Sequence, residues 1–576
     1  MRHSAAHVLA AAVCRVFKDV QLDIGPPTED GFYYDFDLSH RLAPEDFDAI
    51  EGEMRKIIAE NHPFERIEVS RDEAKKLIQN MGQRFKLERL ADIPEGETIT
   101  FFKCGEFVDL CRGPHADSTG QVRNFKILNV AGSYYRGKET NPMLQRVYAT
   151  AHLNDEQLQA FLKIRDEAKL RDHRRLGQEL DLFSIEEDVG PGLIHWHPKG
   201  ARIRATIEEF WRQEHFRAGY ELLYTPHIGR STLWETSGHL GFYKNSMYAP
   251  MEIDEQQYFV KPMNCPFHIQ IYKKHKHSYR DLPLRWAELG TVYRYEKAGV
   301  LHGLLRVRGF TQDDAHIFCT PAQIEDEVIR AIRFAKFMWK TFGFEEITAY
   351  LATRPAESVG EESRWQQATD SLEKALKLEG IPYEVDEGGG AFYGPKIDMK
   401  VRDTIGREWQ CTTIQFDFNL PDRFDLSFVG EDNKDHRPYM VHRALFGSIE
   451  RFFGILTEHY AGSFPLWLAP EQVRILPISD KFMPYAQSVL ERLRARDVRV
   501  TVDQRPEKVG AKIRDAQMQK VPYMIVVGGK EAEAGTVAVR SRSAGDQGVM
   551  SVDALIERLK AEEASRSLSP VAAGSV

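Results

Sequence analysis

The alternation of apolar and polar positions divides the chain into distinct textures. An amphipathic opening helix in RHSAAHVLAAAVCRVF is followed by the aromatic strand-like GFYYDFDL, a helix at EDFDAIEGEMRKIIAEN and Gly-rich turns at CRGPH and AGSYYRG. Together these predict a compact α+β domain over residues 1–150. Residues 151–177 keep a charged helical pattern without a strong apolar face, which predicts an exposed linker helix. Long helices and strands are predicted over 178–468. Here KGARIRATIEEFWRQEHFRAG is an amphipathic helix stopped at Gly219, YELLYTP is strand-like, and LRWAELGTVYRYE and LLRVRGFTQDDAHIF are strands joined by the loop KAGVLHG. After LAPEQ the order VRILPIS, helix, VRVTVD, helix, YMIVVGG, TVAVRSR predicts a small α/β domain over 469–565 with a mostly parallel sheet. The small, polar residues 566–576 predict a disordered tail.

At 576 residues the chain exceeds a single core, and ordinary domain sizes imply roughly three to five units. Its 42% hydrophobic and 28% charged residues are those of a globular protein. No run of about 18 apolar residues is present to span a bilayer. The N-terminus has two histidines and no clear cleavage site, so it reads as folded protein rather than a signal peptide. Six cysteines without close pairing indicate a reducing compartment, by default the cytoplasm. A net charge of −9 disfavours nucleic-acid binding over the whole surface, but leaves room for local basic stretches at 163–177, 272–280 and 508–520.

Three scattered residues carry the first chemical hint. Cys265 in KPMNCPF, His316 in FTQDDAHIF and His442 in YMVHRALF would, if the fold brings them together, form a zinc shell with a fourth position open to substrate. Taken singly, each reads more readily as a core cysteine or a hydrogen-bonded histidine than as a ligand. A second set lies near the N-terminus. His3 and His7 share one face of the opening helix, and Cys111 and His115 flank a turn. By residue type alone this reads as a tetrahedral zinc site or as two local contacts. Arg294 ends a strand in YRYE and Arg451 lies in a helix in SIERF. Guanidinium groups can grip phosphate or stack on a purine, and Glu296 could read an exocyclic amine, although surface ion pairs would use the same residues.

In the order helix and strand ending in Pro, strand-loop-strand with RYE, and strand-helix with ERF, these segments resemble motifs 1, 2 and 3 of class II aminoacyl-tRNA synthetases. KPMNCPFH, YRYEKAG, RVRGFTQDDAHIF, FYGPKID and VHRALFGSIERFF are similar to the threonyl-tRNA synthetase family, bacterial type, over nearly the whole chain. The resemblance implies a multidomain α+β and α/β protein: an N-terminal editing domain, a class II core built on an antiparallel sheet, and a C-terminal anticodon-binding domain. It implies a homodimer that joins L-threonine to tRNA(Thr) with ATP and Mg2+, away from membranes. One Zn2+ per chain would be held by Cys265, His316 and His442. Threonine would meet Met263, Gln312, Asp314 and Tyr393, and Lys396 would meet its carboxylate or the α-phosphate. ATP would meet Arg294, Glu296, Arg306, Gln410, Ser448 and Arg451, with His239 assisting transfer to the tRNA ribose. The family also carries a small ubiquitin-like domain ahead of the editing module, whereas His3 here stands two positions after Met1. So short a lead-in predicts a frayed start to the His3 helix.

Selectivity explains the second site. An apolar pocket separates threonine from isosteric valine by only about a hundredfold, which a metal needing both amine and hydroxyl improves, but serine carries both groups and lacks only a methyl, a difference of about 1 to 3 kcal/mol. The resemblance assigns His3, His7, Lys86, Asp109, Cys111 and His115 to hydrolysis of seryl-tRNA without a bound metal, with the imidazoles exchanging protons near neutral pH. Two alternatives remain: a class II synthetase for serine, proline or histidine, and a catalytically dead RNA-binding relative.

Overall fold

Residues 1–568 are described by a computed structural model, in which one unit covers residues 1–166 and a second begins at 167. From 569 onward the expected tail lies outside the described residues.

In chain order the first unit includes α1 (Arg2–Val16), β1 (Gln21–Leu22), β2 (Phe32–Asp37), α2 (Phe47–Glu60), β3 (Glu65–Val69), α3 (Arg84–Ala91), β4 (Ile99–Cys104), β5 (Phe107–Leu110), β6 (Asn124–Tyr134) and β7 (Met143–His152), with a further helix, Arg71–Asn80, between β3 and α3. Ten consecutive residues of α1, Ser4 to Val13, are buried. Small alanines on every side of the helix let it sit inside the unit, in one core with Phe32, Tyr34 and Phe36 of β2 and with Ile50 and Met54 of α2. The helix is not frayed as expected: Arg2 donates to the carbonyls of Glu29 and Ala151, which ties down the first turn. One sheet has the antiparallel order β1-β2-β7-β6 and the other β3-β4-β5.

The division at 166 falls inside helix α4 (Asp155–Arg171). The second unit continues through α5 (His173–Glu179), α6 (Pro198–Arg217) and β8 (Glu221–Leu222). Next come α7 (Cys265–Tyr272), β9 (Leu284–Tyr293), β10 (Gly309–Cys319), α8 (Ile324–Thr341), β11 (Ile347–Ala352) and β12 (Tyr383–Asp386). β13 (Lys396–Arg402), β14 (Glu408–Asp417), β15 (Tyr439–Ala444) and α9 (Ile449–His459) complete the central part. Its eight-stranded sheet has the order β8-β9-β10-β15-β14-β13-β11-β12, antiparallel except at its two edges. Of the strand expected from YELLYTP, only Glu221 and Leu222 pair, at one edge. The strand expected over LLRVRGF starts at Gly309, so Arg306 and Arg308 belong to the preceding loop.

Strand alternation decides the two faces of this sheet. Ala315, Ile317, Ile414, Phe416 and Val441 join Ile207 and Trp211 of α6 and Ala331 and Trp339 of α8 in one apolar core. The residues between them face the other way and build the site.

The C-terminal part holds β16 (Val473–Pro477), β17 (Val500–Val502), β18 (Tyr523–Val527), β19 (Thr536–Ser541) and β20 (Gly545–Ser551), in the order β17-β16-β18-β19-β20. Only β17, β16 and β18 are parallel; β19 and β20 return antiparallel. The mostly parallel expectation fails here because residues 528–535, between β18 and β19, are too few for a crossover, which takes about a dozen residues or more.

Candidate functional site

Paired registers in the central sheet line up the candidate residues in rows. His316 on β10 lies opposite His442 on β15, and His442 opposite Gln415 on β14, which in turn faces Lys396 on β13. One step along, Asp314, Ala444, Thr413 and Asp398 form the next row. Cys265 reaches this face from the start of α7, and the ligand atoms of Cys265, His316 and His442 lie within 4.8 Å of one another. The two imidazoles stand edge to face with centroids 4.8 Å apart.

Each imidazole is held by its outer nitrogen. His442 Nε2 is 2.8 Å from Asp417 Oδ2, and His316 Nδ1 is 2.8 Å from His268 Nδ1. The opposite nitrogens are left to face inward, as ligands to a common ion require. Burial pushes His316 well below its ordinary pKa, with His268 and His442 adding to the effect, so the ring is neutral and can offer a lone pair. Burial, Asp314 and Asp417 push the Cys265 thiol well up, so a thiolate there calls for a neighbouring cation. The donor set, one sulfur and two oriented imidazoles, fits a zinc ion.

The triad opens into a cavity of about 300 Å³ that Met263, Arg294, Gln312, Asp314 and Tyr393 also line. Asp314 accepts from Asn264 Nδ2 at 3.1 Å, and Tyr393 donates to Gln415 Oε1 at 2.7 Å. Gly290 makes room for that asparagine, since a Cβ there would stand 2.5 Å from the Asn264 side chain. Sequence reasoning missed Asn264, Thr413, Gln415 and Asp417. The available signal was the polar alternation Thr413, Gln415, Asp417 against core-facing Thr412, Ile414 and Phe416.

Of the predicted threonine, ATP and transfer residues, Glu296, Arg306, Lys396, Gln410, Ser448, Arg451 and His239 do not line the cavity. Arg294 itself lines it, donating to Pro262 O at 3.2 Å and lying over the Phe310 ring at 5.1 Å. Arg306 pairs with Glu296 at 3.0 Å, and Lys396 pairs with Asp398 at 2.6 Å. Arg451 donates to Gln410 O at 3.2 Å and Leu305 O at 3.1 Å, joining α9 to the loop between β9 and β10. Gln410 thus enters through its backbone, and Ser448 caps α9 by accepting from Arg451 N at 3.1 Å. His239 is buried beside Met263, with Nε2 2.9 Å from the sulfur and Nδ1 2.7 Å from Ser237 Oγ, and burial lowers its pKa to about 4. A third cluster, Asp172, His173 and Glu458, has no nitrogen left for an ion. His173 uses Nδ1 on Glu458 at 2.7 Å and accepts Leu304 N–H through Nε2 at 3.0 Å.

The first unit brings its own set together. Cys111 Sγ lies 3.2 Å from His3 Nε2 and 3.3 Å from His115 Nε2. His115 Nδ1 is 3.2 Å from Ser4 Oγ, and its ring stacks on Phe64 at 4.9 Å. The turn that returns His115 needs Gly113, whose φ is 74° and whose Cβ would stand 2.8 Å from Phe102. Beneath, Asp109 pairs with Lys86 at 2.6 Å, accepts from Tyr34 Oη at 2.5 Å and lies 3.8 Å from His7 Nε2. Tyr34 and Ser4 were not foreseen. Burial lowers His115 to about 2, lowers His3 and pushes His7 well below its ordinary value, while it raises Cys111 to about 11. Burial thus leaves the imidazoles uncharged at neutral pH, each with a lone pair that can take up a proton only as one is released beside it.

Residues 248–460 match the family model of the class II tRNA synthetase core domain for glycine, histidine, proline, serine and threonine. Residues 472–562 match an anticodon binding domain, and 99–148 match the threonyl and alanyl tRNA synthetase second additional domain. The chain is 54% identical to the threonine–tRNA ligase of Magnetococcus marinus, over 99% of this chain and 88% of that one. It is 53% identical to the ligase of a Sulfurihydrogenibium species, over 97% and 88%. A crystal structure described as the RNA binding domain of threonyl-tRNA synthetase from Cryptosporidium parvum superposes with a TM-score of 0.66 at 39% identity, over 70% of this chain and 99% of that one.

Proposed function

Because the chain belongs to the threonine–tRNA ligases, class II aminoacyl-tRNA synthetases, we propose that the cavity beside Cys265, His316 and His442 selects and activates threonine and that the first unit hydrolyses seryl-tRNA(Thr). The observation that carries this reading is the convergence of one thiol and two imidazoles within 4.8 Å at the wall of the cavity. Cys265, His316 and His442 would hold zinc. A zinc ion bound there would supply ligand positions for the amine and the hydroxyl of threonine, the second of which valine cannot fill. Asp314, fixed by Asn264, and Gln312 accept hydrogen bonds from the same groups, while Tyr393 closes the pocket. The threonine carboxylate then attacks the α-phosphorus of ATP and pyrophosphate leaves, a departure that Mg2+ on the phosphates would assist. Arg294, from the edge of the cavity, and Arg451, from α9, offset the charge that develops on the phosphates. Glu296 and Arg306, on the loop between β9 and β10, would meet the nucleotide, and Lys396, opposite Gln415 in the sheet, would meet the carboxylate or the α-phosphate. In the second step the 3′-terminal ribose hydroxyl of tRNA(Thr) attacks the activated carbonyl and AMP leaves, with His239 positioned at Met263 to assist.

In the first unit a neutral imidazole among His3, His7 and His115 takes a proton from water as it attacks the seryl ester. The proton passes on to the departing ribose oxygen, and Lys86, Asp109 and Cys111 orient the ester. The second unit forms a homodimer through α6 and the strand that follows, where Phe216 and Tyr224 are exposed. Threonine-dependent pyrophosphate exchange tests the reading: Cys265→Ala abolishes it, and retained exchange refutes the role of the triad.

A further inference from the structure

The loop between β9 and β10 is fastened by a histidine that lies outside the cavity. Its chain reverses between His302 and Arg306, whose backbones exchange hydrogen bonds at 3.0 and 3.2 Å, and Leu304 at the tip is fully buried in the central core. A buried backbone N–H needs an acceptor. That of Leu304 finds it in Nε2 of His173, the first residue of α5, at 3.0 Å. Gly303 lets the two approach, since its φ is 48° and a Cβ there would run into the His173 ring. The ring is wholly buried, and Glu458 fixes it by meeting Nδ1 at 2.7 Å and accepting the His173 backbone N–H at 3.1 Å. The second Glu458 oxygen pairs with Arg407 at 2.7 Å.

The two ends of α9 thereby hold neighbouring peptide groups of one loop. Arg451 in the first turn donates to Leu305 O at 3.1 Å, and Glu458 in the last turn holds Leu304 N–H through His173. Apolar burial of Leu304 is non-directional and leaves the peptide free to rotate. A hydrogen bond to its N–H sets that rotation, and with it the path of the next two residues. The second of these is Arg306, which pairs with Glu296 across the loop.

We propose that His173 is a positioning residue that, through Leu304 N–H, holds the loop where Arg306 and Glu296 can meet ATP, an inference that rests on the nucleotide reading above. His173 does not line the cavity. It acts on the fraction of chains whose loop is ready for the nucleotide, and apparent affinity falls in proportion to that fraction.

Two replacements separate the two ring nitrogens. His173→Asn keeps a donor where Nδ1 meets Glu458 but nothing to accept Leu304 N–H, whereas His173→Gln keeps an acceptor in place of Nε2 and loses the bond to Glu458. Each drops one bond of a buried ring, so both are expected to melt below the parent. Only loss of the acceptor should reach ATP. In pyrophosphate exchange by the purified full-length chain, His173→Asn is expected to raise the KM for ATP at least about fivefold and His173→Gln to keep it within about twofold of the parent. The KM for threonine should stay within about twofold in both. An equal KM for ATP in the two variants, raised or not, overturns the anchor. Arg306→Ala serves as the control. If it raises the KM for ATP and His173→Asn does not, the anchor alone falls; if it changes nothing, the nucleotide reading falls and the anchor with it. Should His173→Asn not fold, hydrogen exchange of the parent decides. The Leu304 amide is expected to exchange at least about a hundredfold more slowly than in an unstructured peptide, and exchange at the unstructured rate overturns the anchor.

Discussion

His115 lies between His3, His7 and Phe64, and the cost of charging a ring in that setting takes its pKa to about 2. His7 is driven well down by burial and by the charges of His3 and Lys86. A histidine whose folded pKa lies below its unfolded value is already neutral above about pH 6.5 and stays so as the pH falls toward the folded value. Seryl-tRNA hydrolysis, corrected for the enzyme-free rate, is therefore expected to hold its value from about pH 8 to about pH 6. A drop by half or more between about pH 7 and 6, with a midpoint near the ordinary histidine value, would show that a charging imidazole governs the step. The unfolded chain binds more protons over the same range, so burial of His7 costs stability progressively below about pH 6.5, by up to about 1.4 kcal/mol per pH unit. The spacing of His3, His7, Cys111 and His115 was legible because helix pitch and a Gly-Pro turn fix it locally. Tyr34 was not: inward-facing aromatics along GFYYDFDL read as core, and only the tertiary fold shows its hydroxyl meeting Asp109.

At the scale of elements, strand alternation did most of the positioning. β10 was readable as a strand, and its period of two sends Gln312, Asp314 and His316 to one face. The partner strands β14 and β15 come from distant sequence, so the row His316, His442, Gln415 exists only once their register is set. That is why Gln415, Thr413 and Asp417 escaped notice although their own alternation was visible. Helix α9 separates two readings of Ser448. Its hydroxyl caps the helix one turn before Arg451, and loss of such a cap costs about 0.5–2 kcal/mol. Ser448→Ala is therefore expected to lower the melting temperature by a few degrees while the KM for ATP changes by less than about threefold, and Ser448→Thr should recover the loss. A rise of about tenfold in that KM without loss of stability would place Ser448 on the nucleotide instead.

The two proposed chemistries fall in two units, each with its own core. The expected class II sheet and flanking α+β and α/β parts are present, whereas the last two strands of the C-terminal sheet depart from the parallel pattern because their connection is short. No helix among the described residues is long and apolar enough to cross a membrane. Separate cores predict separable defects. Cys111→Ala is expected to leave threonylation within about twofold of the parent while seryl-tRNA(Thr) accumulates, and a comparable loss in both assays would contradict the assignment of hydrolysis to the first unit. Elemental analysis of the purified chain and its Cys265→Ala variant shows whether Cys265, His316 and His442 form the metal seat that selects threonine. One zinc per chain in the parent and none in the variant is the result expected, whereas a parent without zinc that still activates threonine would contradict it.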